Sequence, residues 1–382
     1  MTNASKHSLD EEYIALCLKL ALQAQGRTAP NPVVGAVVLD ASGAVVGEGF
    51  HARAGQAHAE VEALNAAGER AKDGTLYVNL EPCCHHGRTG PCAQRVIESG
   101  VRRVVVGMLD PNPKVAGGGV AAIRANGIAV DVGVLEPACR WENRAFLSRI
   151  VRSRPWVCLK LATTLDGQIA DRYRQSKWIS GPAARMHVHQ LRNTLDCILV
   201  GSETVRRDDP ELTVRDVEGG RNPHRAILDA RLTLPPDKKL LAESESGART
   251  FVFCSKRPEL RPRLEACPAH LSVIRVNEKS DIHGFLDLSE ILRALAAQEI
   301  NSLLCEGGGR LAASLLADSL VDEVHWIISP KILNDTSAVP ALGLDNDVHL
   351  SAALKLTRSS TSFLGEDVLF QGVLGEPSFL AC

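Results

Sequence analysis

Residues 75–100 read TLYVNLEPCCHHGRTGPCAQRVIESG. TLYVNL has the apolar, β-branched character of a short strand. AQRVIESG has the spacing of a helix closed by Gly100. Between them lies a polar loop that carries Cys83, Cys84 and Cys92. A strand feeding a helix is the repeating unit of α/β folds, and the same alternation extends outward on both sides. Upstream, residues 11–25 place apolar side chains at helical spacing. PNPVVGAVVLDASGAVVGEGF (30–50) reads as two strands joined by a turn at Asp40–Gly43, and 58–72 reads as a helix. Downstream come a strand at 102–108, a helix at 120–127 ending in Gly127, and a further strand, IAVDVGV. The pattern predicts a three-layer αβα domain.

Composition sets the outer limits. A chain of 382 residues at about 150 per domain predicts two domains. The 43 Lys+Arg and 45 Asp+Glu leave a formal charge of -2. That excludes the strongly basic kind of nucleic-acid binder, and 4% aromatics weakens base stacking as a binding mode. The polar start MTNASKHSLDEEY does not read as a signal peptide, and no apolar run approaches the ~20 residues of a membrane span. The expected location is a reducing cytoplasm. The 11 cysteines are there expected to pack, react or bind metal rather than pair.

Three residue types in one pattern suggest metal chemistry. His58-Ala59-Glu60 opens a helix, Pro82-Cys83 follows the strand TLYVNL, and Cys92 begins the next helix. One His and two Cys supply three ligands to Zn²⁺ and leave a fourth position for water, whose pKa the metal lowers. Glu60, two residues after the His and not itself a ligand, is placed to shuttle a proton. This is the H-x-E…P-C pattern of zinc deaminases. Eight residues separate Cys83 from Cys92, where nucleic-acid deaminases have C-x-x-C. Cys84 is an alternative ligand, and a purely structural zinc could take a fourth ligand from His85 or His86. Two cysteines at this spacing are otherwise core residues. Asn31, held between Pro30 and Pro32, has a restricted backbone and can present its amide to a heterocycle. His51, at the end of the next strand, can face the same pocket.

Residues 136–155 turn polar and basic and end in Pro155, which predicts a helical connector and domains of 1–150 and 151–382. The second half restarts the alternation with strands at PWVCLKLATTLDG, DCILVG, RAILD, TFVFCS, LSVIRV, SLLCEGGG and DEVHWIIS, and ends in strands around 353–374. Lys160 sits inside the apolar strand VCLKLA. It either pairs with a carboxylate, phosphate or substrate or reaches water from a strand edge. GSETVRRDDPELTVR (201–215) follows a strand, where open α/β sheets bind ligands, and Arg192 or Arg215 can hold a phosphate. Glu306-Gly307-Gly308-Gly309-Arg310 precedes a helix and forms a candidate pyrophosphate loop. Its place late in the domain argues against a Rossmann fold.

TAPNPVVGAVV, HAEVEAL, EPCCHHGRTGPC, DPNPKVAGGG, LKLATTLDGQIA, DDPELTVR and CEGGGRLAASLL occur in that order between about residues 10 and 375. Together they resemble one family: the bifunctional riboflavin-biosynthesis enzymes that join a pyrimidine deaminase to a reductase. The long Cys–Cys loop belongs to that family. The resemblance implies a cytidine-deaminase-like first domain. It would remove the 2-amino group of 2,5-diamino-6-(5-phosphoribosylamino)pyrimidin-4(3H)-one, with one Zn²⁺ per chain on His58, Cys83 and Cys92 and with Glu60 as catalytic proton shuttle. It implies a dihydrofolate-reductase-like α/β second domain that uses NADPH to reduce the ribosyl group to ribityl. By motif position, Ser176, Arg192, Leu212, Arg215 and Glu306 would contact this phosphorylated pyrimidine. Ala162, Trp178, Thr204, Asp208 and the glycine loop Gly308, Gly309, Arg310, Leu311, Ala312, Ala313 and Ser314 would contact NADPH. Lys160 and Asp208 are the candidate polar groups near the reacting carbon. The family implies a homo-oligomer, with no nucleic-acid or membrane partner. Gly90 stands where a second Pro is common, and Ala230 where a Ser is. The rival reading is a nucleoside or tRNA deaminase carrying an appended, inactive ligand-binding domain.

Overall fold

The computed structural model describes residues 3–84, 90–113, 115–260, 263, 265–279, 284–343 and 349–380. The chain divides into two compact units. One comprises residues up to Ser153 together with those from Pro377 onward, and the other runs from Arg154 to Glu376.

In the first unit, α1 (Asn3–Leu22) is followed by β1 (Gly35–Leu39) and β2 (Val45–Phe50). The turn between the strands is tied by Asp40 Oδ1, which accepts from the Ser42 and Ala44 amides. Then come α2 (Ala59–Ala67), β3 (Thr75–Leu80), α3 (Cys92–Glu98), β4 (Arg103–Met108), α4 (Gly118–Ala125), β5 (Ala129–Val132), α5 (Glu136–Glu142) and α6 (Arg144–Arg152). The five strands form one sheet in the order β2-β1-β3-β4-β5. β1 runs antiparallel to both neighbours, while β3, β4 and β5 are parallel. α1 and α5 lie on one face, and α2, α3 and α4 on the other, which gives the three expected layers. Ile14, Cys17, Leu18 and Ala21 form the buried stripe of α1 at the spacing that one helix face requires. β3 is buried over almost its whole length, as a strand covered on both faces must be. The segment read as a single connector is two short helices, because Asn143 breaks the run between them.

The second unit contains β6 (Trp156–Thr163), β7 (Gln168–Ala170), α7 (Pro182–Thr194), β8 (Cys197–Gly201), α8 (Ser202–Asp208), β9 (His224–Leu228), β10 (Thr250–Ser255) and β11 (Leu271–Val276). It continues with α9 (Leu288–Ala297), β12 (Ser302–Cys305), α10 (Gly309–Ala317), β13 (Glu323–Ile328), β14 (Val339–Pro340), β15 (Leu356–Leu364) and β16 (Asp367–Leu374). Nine strands form a sheet in the order β11-β10-β9-β8-β12-β6-β13-β16-β15. The pairs from β11 through β13 are parallel, and β16 and β15 close the sheet antiparallel. Leu288, Ile291, Leu292 and Leu295 of α9 and Ala312 and Leu315 of α10 pack into the main apolar core of this unit. Ala184 and Val188 of α7 pack on the opposite face, against Ile327, Leu369 and Ala162.

The sequence reading placed everything after 151 in one domain. The last residues instead group with the first unit. Phe379 and Leu380 are buried there, Arg140 donates to the Phe379 carbonyl at 2.9 Å, and the Arg152 guanidinium lies 4.8 Å from the Phe379 ring centre. Among the described residues, no helix is long and apolar enough to cross a membrane.

Candidate active sites

β3 delivers Glu81-Pro82-Cys83 to the end of the first sheet, where α2 and α3 begin. His58 is the N-cap of α2, and Cys92 is the first residue of α3. One donor atom from each of His58, Cys83 and Cys92 lies within 4.8 Å of the others. His58 Nδ1 is 3.1 Å from Cys92 Sγ and 3.7 Å from Cys83 Sγ. Tetrahedral zinc, with about 2.0 Å to nitrogen and about 2.3 Å to sulfur, sets its donors about 3.5–3.8 Å apart. One imidazole nitrogen and two thiol sulfurs at these separations therefore fit the ion. Cys84 points elsewhere, its sulfur 3.9 Å from the Val115 carbonyl. His85 and His86 lie outside the described residues.

Glu60, the second residue of α2, is buried, and burial pushes its carboxyl up to about 7. Hydrogen bonds from Cys92 and His58 pull the Cys83 thiol down to about 4, while the shared proton pushes Cys92 up. Asn31 Nδ2 lies 3.0 Å from His51 Nε2, and His51 Nδ1 lies 3.0 Å from the Ala57 carbonyl. The carbonyl accepts from Nδ1–H, so Nε2 is the acceptor for the Asn31 amide. The His51 ring meets His58 edge-on, with 5.1 Å between centres. The structure thus brings Asn31, His51, His58, Glu60, Cys83 and Cys92 into one cluster.

Glu81 was not singled out in the sequence, and it organises this site. Its carboxylate is buried and accepts from the amides of Asp110 (3.2 Å), Gly117 (2.9 Å) and Val120 (3.1 Å). It therefore anchors the DPNPKVAGGG loop and the start of α4. A Cβ on Gly119 would collide with the Pro82 carbonyl oxygen, which explains why a glycine stands there. The readable signal was an acidic residue directly after a buried strand.

The second site lies at the carboxyl ends of the parallel strands of the larger sheet. Arg192 on α7 forms a two-pronged ion pair with Glu306, at 2.7 and 2.9 Å, and also donates to the Thr213 carbonyl. Lys160 on β6 is half-buried. Burial lowers its pKa, Glu306 opposes that and Arg192 adds to it. The carboxylate acting on Lys160 is therefore Glu306. Asp208, the other candidate polar group near the reacting carbon, is the exposed last residue of α8. Arg215 is exposed, with its main-chain N–H 3.2 Å from His189 Nδ1. Leu212 packs into the apolar cluster with Val205 and Leu240, so only its main chain is available to a ligand. Ser176 is half-buried and accepts from the Ile179 amide through its carbonyl. Trp178 is exposed, with the Arg185 guanidinium 4.6 Å from its ring centre. Thr204 is half-buried on α8.

Gly307 and Gly308 lead from β12 into α10, whose start takes no side-chain cap. A Cβ on Gly309 would press on the Pro340 and Ala341 carbonyls at 2.8 Å, while one on Gly308 would meet open space. An uncapped helix start beside open space fits the pyrophosphate of a dinucleotide. The stretch read as a loop as far as Ser314 is helical from Gly309. Within it Gly309, Ala312, Ala313 and Ser314 are buried, and Ala312 packs in the core, so Gly308, Arg310 and Leu311 are the accessible positions.

A zinc-type deaminase unit followed by a largely parallel reductase unit defines a two-domain deaminase–reductase. Residues 7–108 match the cytidine and deoxycytidylate deaminase zinc-binding region, and residues 155–370 match the RibD C-terminal domain. Riboflavin biosynthesis protein RibD of Aquifex aeolicus is 42% identical over 361 residues, 94% of this chain and 97% of its own. The solved structure of Acinetobacter baumannii RibD, form 2, is 33% identical with a TM-score of 0.85, covering 97% of this chain and all of its own. That of a Thermotoga maritima diaminohydroxyphosphoribosylaminopyrimidine deaminase/5-amino-6-(5-phosphoribosylamino)uracil reductase is 36% identical with a TM-score of 0.82 and equal coverage. The chain belongs to the RibD family, the bifunctional deaminase–reductases of riboflavin biosynthesis. Zinc and NADPH are the cofactors of the two domains. The rival reading of a nucleoside or tRNA deaminase with an inactive appendage is not favoured by these matches.

Proposed function

We propose that the first unit hydrolyses the 2-amino group of 2,5-diamino-6-(5-phosphoribosylamino)pyrimidin-4(3H)-one, and that the second reduces the ribosyl group of the resulting uracil to ribityl. The observation that carries the first half is the placement of buried Glu60 beside the three converging donor atoms of His58, Cys83 and Cys92. When bound there, zinc acidifies a water molecule as the nucleophile. Glu60 takes the proton released by that water and returns it to the departing amino nitrogen. The C2–N bond breaks as C2–O forms, and ammonia leaves. The Asn31 side chain, braced by His51, orients the pyrimidine edge.

In the second unit, Ser176, Arg192, Arg215, Glu306 and the Leu212 main chain are assigned to the phosphorylated substrate. Ala162, Trp178, Thr204, Asp208 and the Gly308–Ser314 stretch are assigned to NADPH, with the closest approach at Gly308, Arg310 and Leu311. Lys160 is assigned as the group that gives a proton to the ribosyl oxygen as the sugar ring opens. The location is read as a reducing cytoplasm, where cysteines stay as thiols. The assembly is read as a homo-oligomer, for which a dimer is the smallest closed form.

Glu60→Ala separates the two activities. NADPH oxidation with the diaminopyrimidinone phosphate should fall about 10²–10⁴-fold, the range expected for loss of a general acid/base. With the pre-deaminated uracil it should continue at the unmodified rate. Failure on both substrates, or activity on both, would overturn the two-site reading.

A further inference from the structure

Two buried asparagines grip the loop that carries Asn31, and no role assigned above uses them. Asn79 stands in β3 and is 0% exposed, and Asn143 stands at the break between α5 and α6 and is 2% exposed. A buried amide must find partners for both its oxygen and its nitrogen, and both side chains find them in the same short stretch of main chain. Asn79 Oδ1 accepts from the Gly35 amide at 2.8 Å, and its Nδ2 donates to the Val33 carbonyl at 3.1 Å. Asn143 Oδ1 accepts from the Val33 amide at 2.9 Å, and its Nδ2 donates to that same Val33 carbonyl at 3.1 Å.

The need for them arises where the sheet stops. β1 and β3 pair antiparallel as far as Ala36 and Val78. Before Ala36 the chain runs back toward Pro32 and Pro30, which have no N–H to give a ladder. A side-chain amide offers the same donor and acceptor as a peptide group, so the two asparagines extend the ladder past its end. Asn143 does this instead of its usual task. An Asn at a helix start ordinarily caps the helix, yet α6 begins without a side-chain cap.

Asn31 lies just before the gripped stretch. Its own amide donates to the Thr28 carbonyl at 2.8 Å, and the Val34 carbonyl accepts from the His51 amide at 2.9 Å. Arg149 donates to the Pro30 carbonyl at 3.0 Å. The main chain is therefore held on both sides of Asn31. With Asn31 Nδ2 given to His51 Nε2, Oδ1 is left to accept from an N–H of the pyrimidine. Asn79 adds a second link, since it stands four residues before Cys83 on the strand that leads to the metal ligand. One side chain thus ties the loop of Asn31 to the strand that delivers Cys83. We propose that Asn79 and Asn143 are positioning residues for deamination, which clamp Val33 and Gly35 so that Asn31 meets the pyrimidine at a fixed distance from the zinc ligands. The inference rests on the reading of Asn31 as the side chain that orients the pyrimidine edge.

Ammonia release from the diaminopyrimidinone phosphate by the full-length protein, measured together with zinc content, tests the clamp. Asn143→Ala should lower kcat/KM for deamination about 10–100-fold, as a displacement of about 1 Å in an orienting group does. Zinc should stay at about one per chain, because no ligand is lost. Asn79→Ala should act in the same direction with the same zinc content. The decisive comparison adds Asn143→Ala to Asn31→Ala. If Asn143 acts through Asn31, the second substitution should lower kcat/KM by less than about threefold further, since residues that act through one another are not additive. A merely structural asparagine would lower it by the same factor in both backgrounds. Unmodified kcat/KM in Asn143→Ala, equal losses in the two backgrounds, or loss of zinc along with activity in both Asn143→Ala and Asn79→Ala would each overturn the proposal. Asn31→Ala alone separates the clamp from the reading beneath it. If that variant deaminates at the unmodified rate, the Asn31 reading fails and the clamp falls with it. If it is impaired while Asn143→Ala and Asn79→Ala are not, the clamp alone fails.

Discussion

Cys83 and Cys84 are adjacent and chemically alike, yet their sulfurs face different neighbours. The rigid Pro82 turn and the end of β3 aim Cys83 toward His58 and Cys92, while Cys84 turns toward Val115. Metal content should follow that division. The unmodified chain should carry about one zinc, and His58→Ala or Cys83→Ser should lose most of it, since a three-ligand site has no ligand to spare. Cys84→Ser should keep it. Elemental analysis of purified protein decides this, and zinc loss in Cys84→Ser would reverse the ligand assignment. The metal site was legible because its residue types are rare together and sit at element boundaries. The partner of Lys160 was not legible in the same way. Glu306, from a segment almost 150 residues away in sequence, is brought to Lys160 by the β12–β6 pairing. Sequence spacing carries no information about such a pairing.

At the level of elements, the strand–helix alternation predicted most strands because their apolar runs are bounded by glycine or polar turns. What it did not predict is how loops are held. The DPNPKVAGGG loop has no strand or helix period, and its geometry depends on one carboxylate at the end of β3. Glu81 satisfies three main-chain donors, one of them in the first turn of α4, where negative charge is favoured. Glu81→Ala leaves these donors without that acceptor, and each such group costs about 1–3 kcal/mol when buried. A total loss of about 3–5 kcal/mol in the deaminase unit is expected, with faster hydrogen exchange at the Gly117 and Val120 amides. Glu81→Gln, which keeps one acceptor oxygen, should fall between. NADPH oxidation with pre-deaminated uracil should not change. Thermal unfolding and exchange measurements test this; wild-type stability in Glu81→Ala would show that the loop is held by other contacts. His325 on β13 was missed for a related reason. Within DEVHWIIS it looks like an isolated polar residue in a strand, and only the packing of α7 brings His187 against it.

For the whole molecule, the division into two units follows from the two separate sheets, and the restart of the alternation after Pro155 reveals it in the sequence. The return of the chain end to the first unit is not readable there, because Ser378-Phe379-Leu380 is too short to show any periodicity. Its effect on stability is nevertheless calculable. Phe379 and Leu380 are 8% and 7% exposed, and removing a buried aromatic or leucine side chain costs about 2–5 kcal/mol. Arg140 would also lose its carbonyl acceptor, and Arg152 its aromatic neighbour. A chain ending at Glu376 should therefore unfold its deaminase unit earlier. About 2–4 °C per kcal/mol applies to a unit of this size, so a downward shift on the order of 10 °C is expected. Calorimetry can assign the affected transition because zinc release accompanies unfolding of the deaminase unit. The transition that ends NADPH oxidation with pre-deaminated uracil should stay where it is. If truncation lowers that second transition and spares the first, the tail stabilises the reductase unit, and the grouping of Pro377 onward with the first unit is wrong.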